Sequence, residues 1–123
     1  MIMETFKYES ARNFVVFSYG ASHGLLLLRS GKTNAHSTRL DLLIQDVRAM
    51  EIRSWFEGIR IEEADLVYLE NFSSRPVEMF EHGSKIYAMH GIGWSGFVVG
   101  GLAAVHEDER DFMAPSALLD GGC

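Results

Sequence analysis

Two short apolar runs joined by a turn dominate the first quarter of the chain. Residues 14–19 read Phe-Val-Val-Phe-Ser-Tyr, and residues 25–28 are all leucine. Between the runs, Gly20 and Gly24 can adopt the positive φ angles that a short reversal of the chain requires. Each run is too short for a free-standing helix, so the pattern predicts a β-hairpin with a loop of about four or five residues. Because the leucine run has no polar face, we expect its strand to be covered on both sides.

The segment 39–52 fits two kinds of secondary structure. Leu40, Leu42 and Ile44 alternate with their neighbours as in a strand. The alternation then changes parity, which would require a β-bulge near residues 45–46. The apolar residues of the same segment also fall on one face of a helix. No clear helix cap precedes the segment and its neighbours are strands, so a strand is the preferred prediction.

Shorter segments extend the pattern. Residues 3–9 alternate as a half-buried strand does, and residues 53–58 are typical of a short helical turn that ends at Gly58. Residues 64–72 are compatible with a strand or with a short helix.

The C-terminal half contains a second hairpin signal. Residues 77–81 and 85–89 flank the turn sequence that begins at His82. A glycine-dense connection, residues 90–96, leads into the apolar run 97–105, whose glycine pair indicates a bulge or close backbone packing.

Together these segments predict a mainly β protein. About eight strands, separated by turn residues at intervals of about ten positions, indicate a single small antiparallel β-sandwich or barrel-like domain with at most one or two short helices. No linker divides the chain, so residues 1–123 are predicted to form one domain. The polar residues that begin at position 107 lead into a stretch containing proline and glycine, and residues 107–123 are predicted to be a loosely held tail.

The composition agrees with a globular domain. The chain has 123 residues, of which 47% are hydrophobic, and this size suffices to bury a core without disulfides. No apolar run approaches the roughly 18 residues of a membrane span, and the first residues lack the order of a signal peptide. The single cysteine, Cys123, excludes an intrachain disulfide. We therefore expect a soluble, cytoplasmic protein without a membrane partner.

The net charge of −6 is unevenly distributed. Residues 61–123 contain three basic and eleven acidic side chains, whereas residues 1–60 contain eight basic and six acidic ones. Scattered cations on an acidic chain suit the phosphate backbone poorly, so nucleic acid is not expected as a partner. The acidic C-terminal half would instead suit a basic protein partner, as in an inhibitor or an immunity-like protein.

Histidines are the first candidates for chemistry. Of the five in the chain, His23, His82 and His90 precede a glycine, which places them near strand ends. Loop-borne imidazoles at one rim could converge on a ligand. However, no two histidines show a metal-binding spacing, and histidine also tolerates turn conformations for purely structural reasons. We predict no metal, no cofactor and no catalytic residue.

Four residues form the predicted ligand-binding set: His23, Arg29, His90 and Trp94. Arg29 follows the leucine run and has two interpretations. Either its guanidinium group reaches solvent over an apolar stem, which we prefer, or it pairs with a buried carboxylate. If the four side chains meet, they line a pocket at one end of the sheet.

Two classes of function remain open. The preferred one is a non-enzymatic binding or protein-interaction module that forms a homo-oligomer, because a small β domain has limited means to cover the apolar runs 25–28 and 97–105 alone. Trp55 and Trp94 then belong to the core. The alternative is a small enzyme or ligand carrier that uses the predicted pocket.

Overall fold

The computed structural model describes residues 5–72 and 83–120, and it confirms a mainly β protein. Within these residues all strand pairs are antiparallel. The strands are β1 (Lys7–Gly20), β2 (Leu25–Ser30), β3 (Arg39–Ile44), β4 (Ala49–Glu51), β5 (Trp55–Ala64), β6 (Lys85–Gly91), β7 (Trp94–Gly100) and β8 (Ala103–Asp108). A 3-10 helix spans Leu66–Asn71, and the short helix α1 spans Ala117–Asp120.

The sheet closes on itself. Its strand order is β4-β7-β6-β5-β1-β2-β3-β8, so β4 and β8 are its outermost strands. Because β3 runs into β4 and β7 runs into β8, the pairs β3–β8 and β4–β7 are two parts of one antiparallel ladder. Backbone hydrogen bonds continue this ladder across the gap, where Gln45 bonds to both Gly101 and Leu102. Of the two predicted architectures, the sandwich and the barrel, this ladder establishes the barrel.

The barrel interior holds the main hydrophobic core. Side chains alternate along each strand, so that one set points inward and the next outward. The inward set includes Phe14, Leu28, Ile61 and Val98, all of which are buried. A smaller cluster lies outside the barrel, where Leu69 of the 3-10 helix packs against β6 and β7.

Two predictions for the N-terminal half are confirmed. β1 and β2 form a hairpin whose turn spans residues 21–24, and Gly24 has a φ angle of 59°. The segment 39–52 forms β3 and β4, and the interruption between these strands contains Asp46 at a φ angle of 54°. The irregularity predicted near residues 45–46 therefore exists.

The helical turn predicted for residues 53–58 is wrong. Most of this segment belongs to β5, and Gly58 has a φ angle of 69° within the strand. The register of β1 against β5 shifts at this point, so that Ala11 and Arg12 lie opposite Gly58. The glycine therefore belongs to a β-bulge and does not end a helix.

Two other predictions concern the middle of the chain. Residues 64–72, for which strand and helix were both possible, contain the 3-10 helix. The first strand of the second predicted hairpin, residues 77–81, and its turn residue His82 lie outside the described residues.

Most of both apolar runs that motivated the homo-oligomer prediction is buried within one chain. In the run 25–28, alternate leucines fill the barrel interior, and Leu27, on the other face, is also buried. In the run 97–105, Phe97 and Val99 pack in the outer cluster beside the 3-10 helix, whereas Leu102 is 65% exposed. The buried parts of the two runs are therefore not available to a second copy.

The C-terminal segment is anchored as far as the structure describes it. The composition of residues 107–123 predicted a loosely held tail. Within this stretch, the carbonyl oxygens of Asp111 and Ala114 accept hydrogen bonds from Arg39 at 2.6 and 2.8 Å. Helix α1 also contacts β8.

Gly96 provides a test of the packing. A Cβ atom at this position would lie 2.2 Å from the backbone oxygen of Glu51. Because a backbone atom cannot move away as a flexible side chain can, we expect Gly96→Ala to lower the free energy of unfolding by about 1–3 kcal/mol. Gly20→Ala is the matched control, since a Cβ there would meet no atom within 4 Å. Urea denaturation measures both variants, and equal losses of stability would contradict the close approach.

Candidate functional site

The four residues predicted to line one pocket lie in different parts of the barrel. His23 is exposed in the β1–β2 turn, whereas Arg29 is buried on the outer face of β2. The preferred interpretation of Arg29 is therefore wrong, because it pairs with the buried carboxylate of Asp41. His90 lies near the end of β6 and Trp94 at the start of β7. The two grooves described below contain His90 and Trp94 respectively, and neither includes His23 or Arg29.

His90 and Trp94 are neighbours because they belong to one tight hairpin. β6 and β7 remain paired as far as Gly91 and Trp94, so the turn consists of Ile92 and Gly93. Gly93 has a φ angle of 81°, a conformation that favours glycine. The glycine-dense connection predicted from the sequence is thus a hairpin turn, and it presents Ile92 at its tip with 72% of the residue exposed.

An aromatic surface lies on one side of this turn. We call it the hairpin face and define it as Arg53, Trp55, Glu57, Ile92 and Trp94, which surround an open groove of about 250 Å³. Trp55 is 52% exposed, and the Cζ atom of Arg53 lies 5.8 Å from the centroid of the Trp94 ring. The chain contains two tryptophans, and both belong to this face.

The local sequence explains the orientation of the two indoles. Phe56 points into the barrel, so its neighbour Trp55 points outward. Trp94 is half-buried and packs on Phe56 with 5.1 Å between ring centroids. A Cβ atom at Gly91 would lie 2.2 Å from Nε1 of Trp94, so the glycine allows the backbone to approach the ring closely. Trp94 is therefore held in a fixed position by the core and by the hairpin backbone.

A second groove lies on the other side of Ile92. Its volume is about 570 Å³, and it shares Ile92 and Glu57 with the hairpin face. Gly58 and Ala11 also line it, so it lies at the bulge between β1 and β5. Its ionisable lining residues are Glu9, Glu57, Arg60 and His90.

The register of the sheet aligns polar residues in one row. Glu9 is paired with Arg60, and Arg60 is paired in turn with His90. His90 is paired with Ser95 on β7, and its Nδ1 atom lies 2.8 Å from Oγ of Ser95. The ring of Tyr68, from the 3-10 helix, contacts the imidazole edge to face at 6.0 Å between centroids. Facing residues of antiparallel strands lie on the same face of the sheet, which brings this row together.

The surroundings of His90 lower its pKa below the ordinary value of 6.5. Burial is the largest cause, because it disfavours the charged imidazolium. The positive charge of Arg60 acts in the same direction, whereas Glu62 acts in the opposite one. The imidazole is therefore neutral at pH 7, with one nitrogen that donates and one that accepts a hydrogen bond.

The His90–Ser95 pair differs from the arrangement of a serine–histidine catalytic triad. A serine nucleophile needs a histidine base that a third group orients, usually a carboxylate. Within the described residues, no carboxylate is hydrogen-bonded to His90. Its polar atoms can bind a ligand but do not form a catalytic triad.

The titration of His90 can be measured directly. Arg60→Gln is expected to raise the pKa of His90, because it removes a repulsive positive charge. Glu62→Gln is the matched opposite change and is expected to lower that pKa further. NMR titration of the imidazole resonances measures both, and shifts in the same direction would contradict this electrostatic account.

Charges around the two grooves are balanced. Arg53 and Arg60 contribute two positive charges, and Glu9 and Glu57 contribute two negative ones. A surface with both signs does not select a strongly basic partner.

Several acidic residues of the C-terminal half are already paired within the chain. Glu63 lies 3.6 Å from Nζ of Lys85, and Asp108 forms ion pairs with Arg39 and Arg110 at 3.4 and 3.7 Å. These internal pairs reduce the charge that this half could offer to a basic protein.

Sequence reasoning missed Trp55 and Ile92 as surface residues. Trp55 was predicted to be in the core, although its position next to an inward Phe56 indicates an outward side chain once the strand is recognised. Ile92 stands between two glycines, and a large apolar residue isolated in a turn is the signal that could have identified it.

The described ranges contain no group of three or more His, Cys, Asp or Glu side chains that could hold a metal ion. No helix in the same ranges is long and apolar enough to cross a membrane. Comparisons of the chain with protein-family models, with curated proteins and with solved structures gave no match. Function is therefore inferred from the surface of the barrel.

Proposed function

We propose that this protein is a non-enzymatic protein-interaction module that binds its partner through the hairpin face. The observation that supports the proposal most is the exposure of two apolar side chains beside the half-buried Trp94. Trp55 is 52% exposed, and Ile92 is 72% exposed. Tryptophan and arginine are enriched among the residues that dominate binding energy in protein interfaces. Covering such apolar side chains is the main favourable contribution to association.

The hairpin face is suited to binding because its parts are fixed before the partner arrives. Trp55 lies on β5, which pairs with both β1 and β6, and Trp94 is held by Phe56 and Gly91. Ordering side chains on association costs about 0.5–1.5 kcal/mol for each flexible one. A surface that is already ordered avoids part of that cost.

The balanced charges favour a partner with an apolar centre and both signs of charge around it. A second copy of the chain meets this condition, since a two-fold axis through the face can bring Arg53 of one copy near Glu57 of the other. We therefore retain the homo-oligomer as part of the proposal, now through the hairpin face. An inhibitor-like role against a basic protein has less support, because acidic residues of the C-terminal half are paired internally.

A cytoplasmic location belongs to the same proposal. It is supported by the single cysteine, which fits a reducing compartment where structural disulfides are rare.

Self-association through the hairpin face can be tested with one charge in its centre. Sedimentation velocity of the wild type over a range of concentrations is expected to show a dimer, and Ile92→Glu is expected to abolish it because a carboxylate would have to be desolvated. Leu102→Glu is the matched control, since Leu102 is 65% exposed at the β7–β8 junction. The control is expected to dimerise normally.

A different partner requires a second arm of the same experiment. If the wild type is a monomer, affinity enrichment is carried out with three baits: the wild type, Ile92→Glu and the control Leu102→Glu. One partner protein is expected to bind the wild type and the Leu102→Glu control but not Ile92→Glu. Binding that is insensitive to Ile92→Glu in both arms would contradict the proposed function.

A ligand carrier is the second candidate function, and the second groove, which includes His90, favours it. The groove has a volume of about 570 Å³, and the His90–Ser95 pair offers hydrogen-bonding atoms beside it. Native mass spectrometry of the purified protein, before and after a chelator, tests this candidate. A bound organic mass that His90→Ala removes would favour the carrier over the interaction module.

A further inference from the structure

A buried cluster of charges lies on the outer face of the barrel, remote in sequence from the hairpin face. Arg29, Arg39 and Asp41, which we call the arginine–aspartate site, are each at most 1% exposed. Nε and Nη2 of Arg29 donate to the two carboxylate oxygens of Asp41 at 2.7 and 3.1 Å. Nη2 of Arg39 lies 3.5 Å from the same carboxylate.

The two guanidinium groups bind the backbone of the C-terminal segment. Nη1 of Arg39 donates to two carbonyl oxygens at 2.6 and 2.8 Å, and its Nη2 donates to a third at 3.1 Å. Nη1 of Arg29 donates to a fourth. The four accepting residues are Asp111, Phe112, Ala114 and Pro115.

A hydroxyl group completes the contact. Ser116 is 1% exposed, and its side chain hydrogen-bonds to Asp41. In contrast, Met113 is 77% exposed, and Phe112 is 41% exposed with its ring 5.4 Å from that of Phe17 between centroids. The segment is therefore recognised mainly through its carbonyl groups and one hydroxyl, and less through apolar side chains.

The arginine–aspartate site is built on strands β2 and β3 of the barrel. Arg29 and Asp41 face each other in the register of β2 and β3, and their two-pronged ion pair fixes the guanidinium plane. Buried ion clusters of this kind add little stability compared with apolar packing, but they can specify which groups dock against them. Nη1 of Arg29 and both Nη atoms of Arg39 donate to carbonyl groups of the segment.

We propose that Arg29, Arg39 and Asp41 form a peptide-binding site whose ligand is the segment 111–116, which turns at residues 112–113, and that the same segment of a second copy can replace the chain's own. The contacts resemble those of a peptide complex, with four backbone carbonyls and a serine hydroxyl bound by the site. This site is separate from the hairpin face, so Ile92→Glu leaves it intact.

The first experiment separates the segment from the barrel after folding. A protease recognition sequence is inserted between Glu109 and Arg110 of the full chain, and the folded protein is then cut. The released segment is expected to stay bound during gel filtration, and a fluorescent synthetic peptide of residues 110–120 is expected to replace it. A peptide with Ser116→Ala is expected to bind about tenfold more weakly, since it loses a hydrogen bond to a charged group, and a scrambled peptide is expected not to bind.

Two results would overturn the site. One is a cut barrel that keeps its near-ultraviolet circular dichroism spectrum, loses the segment and does not bind the synthetic peptide. The other is a barrel that unfolds on cutting and does not recover its spectrum when the peptide is added. If the peptide restores the spectrum of an unfolded cut barrel, this result would support the proposal as strongly as retention of the cut segment by a folded barrel.

The exchange between copies is tested by cross-linking intact chains. Within one chain, Nζ of Lys32 lies 3.5 Å from Oδ1 of Asp111. One chain carries Lys32→Cys and the other carries Asp111→Cys, and both also carry Cys123→Ser. The two chains are mixed and treated with a short bis-maleimide. We expect mixed dimers to exceed those of a control pair, Lys32→Cys with Leu102→Cys, by at least about tenfold, given the gain that a specific complex has over random encounter. Equal yields would overturn the exchange.

Discussion

Asp41→Asn is expected to lower the free energy of unfolding by about 3–5 kcal/mol, because it leaves the buried Arg29 without its counter-ion and leaves Arg39 with Asp108 alone. Arg29 and Arg39 both lie against the Asp41 carboxylate, and all three side chains are at most 1% exposed. Urea denaturation measures the loss. Asp46→Asn is the matched control, since the side chain of Asp46 is 63% exposed and forms a surface ion pair with Arg48. Its expected cost is below about 1 kcal/mol, and equal costs for the two variants would contradict the role of the buried cluster.

The same carboxylate gives the prediction a pH dependence. Burial raises the pKa of Asp41, but hydrogen bonds from Arg29 and Ser116 and the charges of Arg29 and Arg39 outweigh burial, so the pKa lies below 3.8. Because the folded carboxyl has a lower pKa than the unfolded one, at about 3.9, its stabilisation is complete above that value and is lost as the pH falls through the folded pKa. The stability difference between the wild type and Asp41→Asn is therefore expected to shrink in acid. A difference that stays constant down to about pH 2 would contradict this account.

Trp55→Ala is expected to weaken partner binding by about 2 kcal/mol or more, or roughly 30-fold, as the loss of a central aromatic residue does in other interfaces. Trp55 is 52% exposed, so its removal is expected to change stability much less than binding. Tyr19→Ala is the control, because Tyr19 is an exposed aromatic residue near the β1–β2 turn. The dissociation constant of the dimer, or of the enriched partner, is the quantity measured. A control that loses as much affinity as Trp55→Ala would place the binding surface elsewhere.

The strands of the barrel could largely be predicted from the sequence, but its closure could not. Alternation identified the β1–β2 hairpin and the irregular strand 39–52, since both signals lie within a few neighbouring residues. Closure depends on the ladder between residues 39–51 and 97–108, which are distant in sequence. Local periodicity does not specify which strand pairs with which.

The candidate site was only partly predictable for a related reason. Arg29 faces Asp41 because of the register of β2 against β3, and the connection 31–38 is too long to fix a register by turn geometry. His90 and Trp94 were both named as candidate ligand-binding residues from the sequence. They lie close together because a tight turn joins their strands, and this turn depends on the positive φ angle of Gly93. The closed barrel and the 3-10 helix bury most of both apolar runs, and local sequence patterns do not reveal this burial.

Site-specific photocross-linking tests the hairpin face most directly. Benzoylphenylalanine is placed at position 92 in one protein and at position 102 in another, two sites whose native side chains are 72% and 65% exposed. The account predicts a single specific cross-linked product from position 92, with a second copy or with the enriched partner, and none from position 102. A specific product from position 102 without one from position 92 would contradict it.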